Sequence, residues 1–290
     1  MDFIRNPHDH PGLSVDLVQM QARLRERRQA LRWLLAGGTT ALVAACGGGG
    51  TSSSSTSTST GTTPTTGTDG SCIADPTETN GPYPSDGSNT VNGVVSNVLT
   101  DSGVVRSDIR ASFGAFTGTA SGVPLQLTLS LVDSNNSCAP LAGYAVYIWH
   151  CTHDGLYSLY SAGAQDENFL RGVQVTDADG LCEFTTIFPG CYSGRWPHIH
   201  FEVYPSLAMA TQYENRTLVS QMAMPGDICS TVYDGAAGYT ASIANFASIS
   251  IASDNVFSDN TSAQITQQTP VLSGSVADGY SGSILIGVSV

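Results

Sequence analysis

The sequence contains no lysine, and all eleven of its basic residues are arginines. Six of these arginines lie before residue 33: Arg5, Arg23, Arg25, Arg27, Arg28 and Arg32. The formal net charge is −13, so the remainder of the chain is markedly acidic. Affinity for nucleic acid depends on cations that neutralise phosphates. The composition therefore argues against a nucleic-acid-binding protein, and equally against electrostatic attachment to an anionic membrane surface.

The N-terminal region lacks an apolar run long enough to span a bilayer comfortably. The run from Trp33 to Ala45 is short and contains Gly37 and Gly38. The basic stretch at residues 25–28 precedes it, and small residues lead to Cys46. Residues 1–46 are therefore predicted to be an export signal whose end resembles a bacterial lipoprotein box. A transmembrane anchor and ordinary signal cleavage are the alternatives.

Two features of the leader refine this expectation. Arg27 and Arg28 resemble the twin-arginine export pattern, although Ala30 stands where a bulky residue is expected. Residues 47–70 are almost entirely Gly, Ser and Thr, which predicts a disordered linker. We thus expect one folded domain over residues 71–290, exported and lipid-anchored to a bacterial membrane, facing the periplasm or the exterior. Its membrane contact would be through the lipid alone.

The chain has no CxxC pair, which disfavours a thiolate metal site without excluding it. An even number of cysteines in an exported protein predicts disulfides, although six allow fifteen connectivities. A bridge at Cys191 would stiffen the loop that carries Tyr192. Apart from Cys46, the cysteines are Cys72, Cys138, Cys151, Cys182, Cys191 and Cys229.

The body of the chain is patterned as short strands separated by turn residues. Residues 125–132 alternate apolar and polar side chains, and residues 144–149 are rich in β-branched and aromatic ones. A short helix is predicted for residues 236–246. Together these patterns predict an all-β fold, a β-sandwich with short helical or irregular loops. Further strands are predicted at 173–176, 182–187, 198–204, 217–222 and 281–290.

Two histidines, His198 and His200, stand one residue apart in a predicted strand. Side chains at positions i and i+2 of a strand point to the same face, so both imidazoles can reach one metal ion. A bare pair of this kind is also compatible with ordinary hydrogen-bonded neighbours. Tyr192 lies six residues before His198, and Tyr157 lies earlier. Tyrosinate oxygens favour a hard, highly charged ion such as Fe(III), because such an ion lowers the pKa of groups that it binds.

Tyr157, Tyr192, His198 and His200, in this order and in these contexts, resemble the metal ligands of the intradiol ring-cleavage dioxygenases. Arg195 resembles the substrate-side arginine of that family. The resemblance continues in Gln221, in residues 170–180 and in the segment Gly81-Pro82-Tyr83-Pro84, and it covers roughly residues 75–225.

The resemblance implies a β-sandwich that holds one Fe(III) per chain and cleaves a catechol between its hydroxyl-bearing carbons with O2, giving a muconate-type dicarboxylate. It implies that Tyr157, Tyr192, His198 and His200 hold the metal. Catalytic roles fall to three residues: Tyr192, which takes a substrate proton, Arg195, which stabilises charge on the ring, and Gln221, which orients the reacting species. Tyr83 is expected to line the pocket. The chain lacks the helical N-terminal region of the catechol-type members and is nearer the protocatechuate-type subunits, and association into a homo-oligomer stays open.

Each of these residues alone has a simpler interpretation. Tyr157 could be a packing residue, Arg195 a surface cation and Gln221 a solvent-facing polar group; His150 and His153 are interpreted as hydrogen-bonded and turn residues respectively. Two further function classes remain beside the enzyme. One is an iron- or aromatic-binding lipoprotein of the same fold without turnover, and the other is an adhesion-type β-sandwich without metal. Turnover of a catechol under O2 distinguishes the enzyme from the lipoprotein without turnover.

Overall fold

The computed structural model describes residues 72–290. The export signal predicted for residues 1–46 and the linker predicted for residues 47–70 lie outside this range. Across residues 72–290, none of the helices combines the length and apolar character needed to cross a bilayer.

Strands make up most of the regular structure, and the helices are few and short. The helices are α1 (Gly226–Gly235), α2 (Thr240–Ala247) and α3 (Ser262–Gln267). The strands are β1 (Asp86–Val91), β2 (Val94–Asn97), β3 (Pro124–Asp133), β4 (Ala139–Pro140), β5 (Ala145–Trp149), β6 (Arg171–Val175), β7 (Leu181–Ile187), β8 (His198–Tyr204), β9 (Leu218–Ala223), β10 (Val271–Ser275) and β11 (Gly279–Val288).

Two sheets form the body, and β1 and β2 form a separate hairpin. The five-stranded sheet has the order β10-β11-β3-β4, with β7 also paired to β3, and β11 runs parallel to β3. The four-stranded sheet has the order β6-β5-β8-β9 and is antiparallel. Apolar side chains of both sheets form one buried cluster, in which Leu129 and Ile286 meet Ile148 and Phe201. The predicted all-β sandwich is thus confirmed.

Successive side chains of strand β8 point alternately into the core and toward the candidate site. Ile199, Phe201 and Val203 belong to the cluster between the sheets. His198 and His200 occupy the intervening positions, so they point to the opposite face. The strand lies between β5 and β9 and is hydrogen-bonded on both sides. The two histidines consequently stand on a rigid interior strand.

Several elements differ from the prediction. The helix predicted for residues 236–246 appears as α2, and α1 precedes it without having been predicted. The β1–β2 hairpin was also missed, although Asn92 and Gly93 form its turn with positive φ values of 51° and 79°, as an Asn-Gly hairpin requires. Its residues are mostly exposed or half-buried, so they show no clear apolar alternation.

The prediction of disulfides is confirmed for one pair of the six cysteines, and the other four do not pair among the described residues. A disulfide joins Cys72 to Cys138, whereas Cys151, Cys182, Cys191 and Cys229 are buried free thiols. Buried free cysteine behaves as a small apolar side chain, which accounts for their positions within the core. No bridge stiffens the Tyr192 loop, and the Cys191 thiol instead donates toward the carbonyl oxygen of Arg195, 3.5 Å away.

Candidate metal centre

Four side chains predicted to bind metal bring their donor atoms together. The Nε2 atom of His198 lies 3.1 Å from Nε2 of His200, 3.2 Å from Oη of Tyr192 and 3.5 Å from Oη of Tyr157. Tyr157, His198 and His200 are at most 2% exposed, and Tyr192 is half-buried. Residues from three separate segments therefore meet at one point.

The two tyrosines come from loops that pack against each other. Tyr157 follows the tight turn at Gly155, whose φ is +89°, and its amide donates to Oγ of Ser161. Tyr192 lies in the loop between β7 and β8. A Cβ atom on Gly155 would lie 3.2 Å from Cβ of Tyr192, so a larger residue there would press on that loop. The close approach of the two loops thus sets the position of both phenols.

Hydrogen bonding fixes the tautomer of His198. Its Nδ1 contacts the carbonyl oxygen of Trp196, which can only accept, so Nδ1 carries the proton. The lone pair of neutral His198 is therefore on Nε2, facing the other donors. A metal-binding histidine is commonly held in this way by a carbonyl oxygen on its second ring nitrogen. His200 is held instead by stacking on Trp149, with ring centroids 4.8 Å apart.

Burial sets the protonation states of all four groups. It lowers the pKa of His198 to about 3, with the positive charge of Arg195 adding to the effect, and it lowers the pKa of His200 well below its usual value. Burial also raises the pKa of Tyr192 to about 12 and that of Tyr157 well above 10. The imidazoles are thus neutral ligands, whereas the phenols need a cation to replace their protons.

These residues fit Fe(III) by spacing and by donor chemistry. Two ligands each about 2.1 Å from one ion, at octahedral or tetrahedral angles, lie roughly 3.0–3.4 Å apart, which matches the measured separations. Within residues 72–290 there is no group of three or more His, Cys, Asp or Glu side chains suited to a metal. A mixed set of two imidazoles and two phenols is instead the candidate, and phenolate oxygen suits a hard trivalent ion.

Arg195 and Gln221 lie buried beside this centre and contact each other. Nη2 of Arg195 donates to Oε1 of Gln221 over 2.6 Å, and Nε2 of Gln221 donates to the carbonyl oxygen of Thr79 over 2.9 Å. Gln221 is directly opposite His200 in the β8–β9 register. Arg195 is 1% exposed and Gln221 is 0% exposed, so neither is the surface residue that its type alone favours.

Asp254 is the site residue that sequence analysis missed. Its Oδ2 lies 2.9 Å from Nε of Arg195, although the two residues are 59 positions apart. Burial alone would raise the pKa of Asp254, but the charge of Arg195 and several hydrogen bonds outweigh burial and lower it. The carboxylate is therefore ionised. An isolated aspartate in a loop carries no sequence signal for such a contact.

Residues 79–84, here called the N-terminal strap, pass over the centre. Tyr83 packs against Tyr157 with ring centroids 4.9 Å apart. The carbonyl oxygen of Pro84 accepts hydrogen bonds from Tyr147 and Arg171. Gly81 adopts a φ of +70°, and a Cβ atom there would lie 3.1 Å from Cε1 of His200. The strap therefore encloses the site from the side opposite the core.

Gly81→Ala is expected to weaken both the fold and iron binding. The left-handed conformation costs a residue with a Cβ atom about 1–2 kcal/mol, and the methyl group would press on His200. Gly93→Ala is the matched control, because Gly93 also has a positive φ but nothing lies within 4 Å of its Cβ position. Thermal unfolding and iron content measure the two effects. Equal iron content in both variants would show that the strap does not constrain His200.

Comparisons with known proteins point to dioxygenases. The family model described as "Dioxygenase" matches residues 110–238. Chlorocatechol 1,2-dioxygenase of Rhodococcus opacus is 30% identical over 125 residues, covering 37% of this chain and 45% of that protein. Catechol 1,2-dioxygenase 1 of Acinetobacter lwoffii is 34% identical over 107 residues, covering 30% of this chain and 32% of that protein.

The similarity also extends to a solved structure. An intradiol ring-cleavage dioxygenase from Tetranychus urticae superposes with a TM-score of 0.56 at 23% identity, covering 75% of this chain and 95% of that chain, which shows a common fold. The matches to the curated relatives span less than half of their length. The range matched by the family model includes the four candidate ligands, Arg195 and Gln221. By this match and this fold, the chain is similar to dioxygenases and shares the fold of an intradiol ring-cleavage dioxygenase.

Proposed function

We propose that this protein is a non-haem Fe(III) intradiol dioxygenase that cleaves a catechol with O2 between its hydroxyl-bearing carbons, giving a muconate-type dicarboxylate. The observation that carries the proposal is the convergence of two imidazole nitrogens and two phenol oxygens on one point. A buried arginine, Arg195, whose Nη1 has no hydrogen-bond partner lies beside them.

Tyr157, Tyr192, His198 and His200 would hold the metal. Bound there, Fe(III) would act as a Lewis acid that makes a chelated catechol susceptible to O2. Tyr192 is the more exposed of the two phenols. Its Oη atom is therefore placed to take a proton from an entering catechol hydroxyl. Tyr157, buried and packed under Tyr83, keeps its position.

Arg195 supplies a fixed positive charge for the reacting ring. Its Nη1 is buried and has no hydrogen-bond partner, while its other nitrogens bond to Asp254 and Gln221. Preorganised donors of this kind stabilise charge that develops during a reaction. Gln221 uses both ends of its amide, on Arg195 and on Thr79, and so orients the guanidinium relative to the strap.

The cations of the described residues indicate which catechols fit. A ring carboxylate needs a positive partner, and among the arginines of residues 72–290 only Arg195 has a buried nitrogen, Nη1, without a hydrogen-bond partner. That group is already assigned to the reacting ring. The other arginines are engaged with carbonyls, hydroxyls or carboxylates: Arg106, Arg110, Arg171 and Arg216. The substrate is therefore a catechol without a carboxylate, and the names of the curated relatives, a chlorocatechol and a catechol dioxygenase, support the same class.

The iron-loaded protein should consume O2 with catechol and chlorocatechols. With protocatechuate, which carries a carboxylate, we expect kcat/KM to be on the order of 10-fold to 100-fold lower, because the carboxylate would be left without a partner. An oxygen electrode with chromatography of the products measures both. Protocatechuate as the best substrate would overturn the substrate class. Iron binding without O2 uptake on any catechol would favour an iron- or aromatic-binding protein that lacks turnover.

A further inference from the structure

Asp254 is a buried carboxylate whose acceptor positions are all used. It is 0% exposed and lies between two short 3-10 helices, Ile251–Ser253 and Phe257–Asp259. Its Oδ2 accepts from Nε of Arg195 and from the amide of Trp196, 2.6 Å away. Its Oδ1 accepts from the amides of Val256 and Phe257 at 2.8 and 3.0 Å. One carboxylate therefore joins the 3-10 segment to the residues that immediately precede β8.

These contacts determine the orientation of the Arg195 guanidinium. The group is planar and carries five N–H donors in fixed directions. With Nε held by Asp254 and Nη2 held by Gln221, the plane of the group is set and so is the direction of Nη1. Nη1 is buried without a partner. Leaving a buried charged donor unpaired is costly, so its persistence indicates that a ligand completes it.

The guanidinium lies beside the candidate metal centre formed by Tyr157, Tyr192, His198 and His200. Its partner Gln221 is directly opposite His200 in the β8–β9 register. Asp254 contacts none of these four side chains by a hydrogen bond. Arg195 is the one side chain of the site to which Asp254 is hydrogen-bonded, so it is the direct link from Asp254 to a bound ring.

We propose that Asp254 is a positioning residue of the reaction, which holds the Arg195 guanidinium so that Nη1 meets the negative charge of the bound ring. This inference rests on the proposed function. It assigns Asp254 a role apart from metal binding, since its carboxylate bonds only to Arg195 and to main-chain amides. The residue serves catalysis through Arg195 and does not touch the substrate.

Asp254→Asn in the full-length, iron-loaded protein tests the proposal. The amide keeps an acceptor for the Val256 and Phe257 amides but loses the charge that orients Arg195. We expect iron content and colour to be retained, and kcat to fall on the order of 10-fold to 100-fold. Asp254→Glu, which keeps the charge, should recover most of that loss. Asp75→Asn is the matched control, because Asp75 is also a buried carboxylate but bonds to Gly287 and Gln267.

A double-mutant cycle with Arg195→Ala separates positioning from simple stabilisation. If Asp254 acts through Arg195, the double variant should be no worse than Arg195→Ala, within about twofold. The cycle is run on kcat and also on the Kd for 4-nitrocatechol, titrated without O2 by its visible spectrum. Losses that multiply in the double variant, or a wild-type kcat and Kd in Asp254→Asn, would overturn the proposal.

The titration without O2 keeps this inference distinguishable from the proposed function. A protein that binds 4-nitrocatechol and shows the non-additive cycle in Kd, yet consumes no O2, would overturn the proposed activity and support the role of Asp254. If thermal unfolding shows that Asp254→Asn is not folded, Asp254→Glu takes its place in the same cycle. Because Glu is longer by one methylene, Asp254→Glu should displace the guanidinium and still raise Kd to some extent when Arg195 is present. In the Arg195→Ala background the same replacement should leave Kd unchanged. A change of Kd in both backgrounds would contradict positioning.

Discussion

Replacement of His200 by alanine is expected to abolish iron binding, colour and turnover together. His200 contributes one of four donor atoms, and its Nε2 lies 3.1 Å from that of His198. Loss of a hydrogen-bonding partner of a ligand typically costs about 10–100-fold in metal affinity or activity, and loss of the ligand itself should cost more. Metal analysis and visible absorption of the purified variant measure the effect, because tyrosinate bound to Fe(III) gives a red-brown colour.

His153→Ala is the control for this experiment. His153 lies in the loop between β5 and β6, and its side chain is partly exposed. Its ring packs edge-on against Tyr239 and not against the candidate ligands. We expect this variant to bind iron as the parent protein does. Retention of one iron and full colour by His200→Ala would remove the assignment of the metal centre.

Replacement of Arg195 by alanine is expected to leave the metal in place and remove most of the activity. Arg195 matches no ligand position, and its buried Nη1 is the free donor beside the centre. Loss of one preorganised donor typically costs about 10²–10³ in kcat. Iron content and colour should persist, and catechol should still shift the visible spectrum, whereas O2 uptake should fall by this factor.

Arg110→Ala provides the matched control, since Arg110 pairs with Asp108 at the surface and both side chains are exposed. Its kcat should be unchanged. Loss of iron from Arg195→Ala would make Arg195 a structural residue. Turnover at the parental rate would contradict its electrostatic role.

The sequence was most informative where a local pattern of residues determines the local structure. Strand β8 was predicted over residues 198–204 and has these bounds in the structure, because its flanking strands and the period of two determine which side chains share a face. The juxtaposition of His198 and His200 follows from that period alone. Tyr157 and Tyr192 lie in loops, and only the resemblance to a family indicated that they would meet the histidines.

Contacts between distant segments could not be predicted from local patterns. Asp254 reaches Arg195 across 59 residues from a loop without apolar periodicity. Thr79 bonds to Gln221 across 142 residues. Such pairings depend on how the loops pack over the folded sandwich, and the local pattern of a single sequence does not indicate which loops meet. For the same reason, the number of cysteines did not reveal which of them pair. Among residues 72–290, Cys72 and Cys138 form a disulfide and the other four cysteines are free.

Mass spectrometry of the product formed from catechol under 18O2 tests the central claim most directly. The iron-loaded protein should yield a muconate-type dicarboxylate that contains two 18O atoms, because cleavage between the hydroxyl-bearing carbons places one atom of O2 in each new carboxylate. Unchanged catechol, a quinone without 18O, or a ring-opened aldehyde from cleavage beside the hydroxyls would contradict the account.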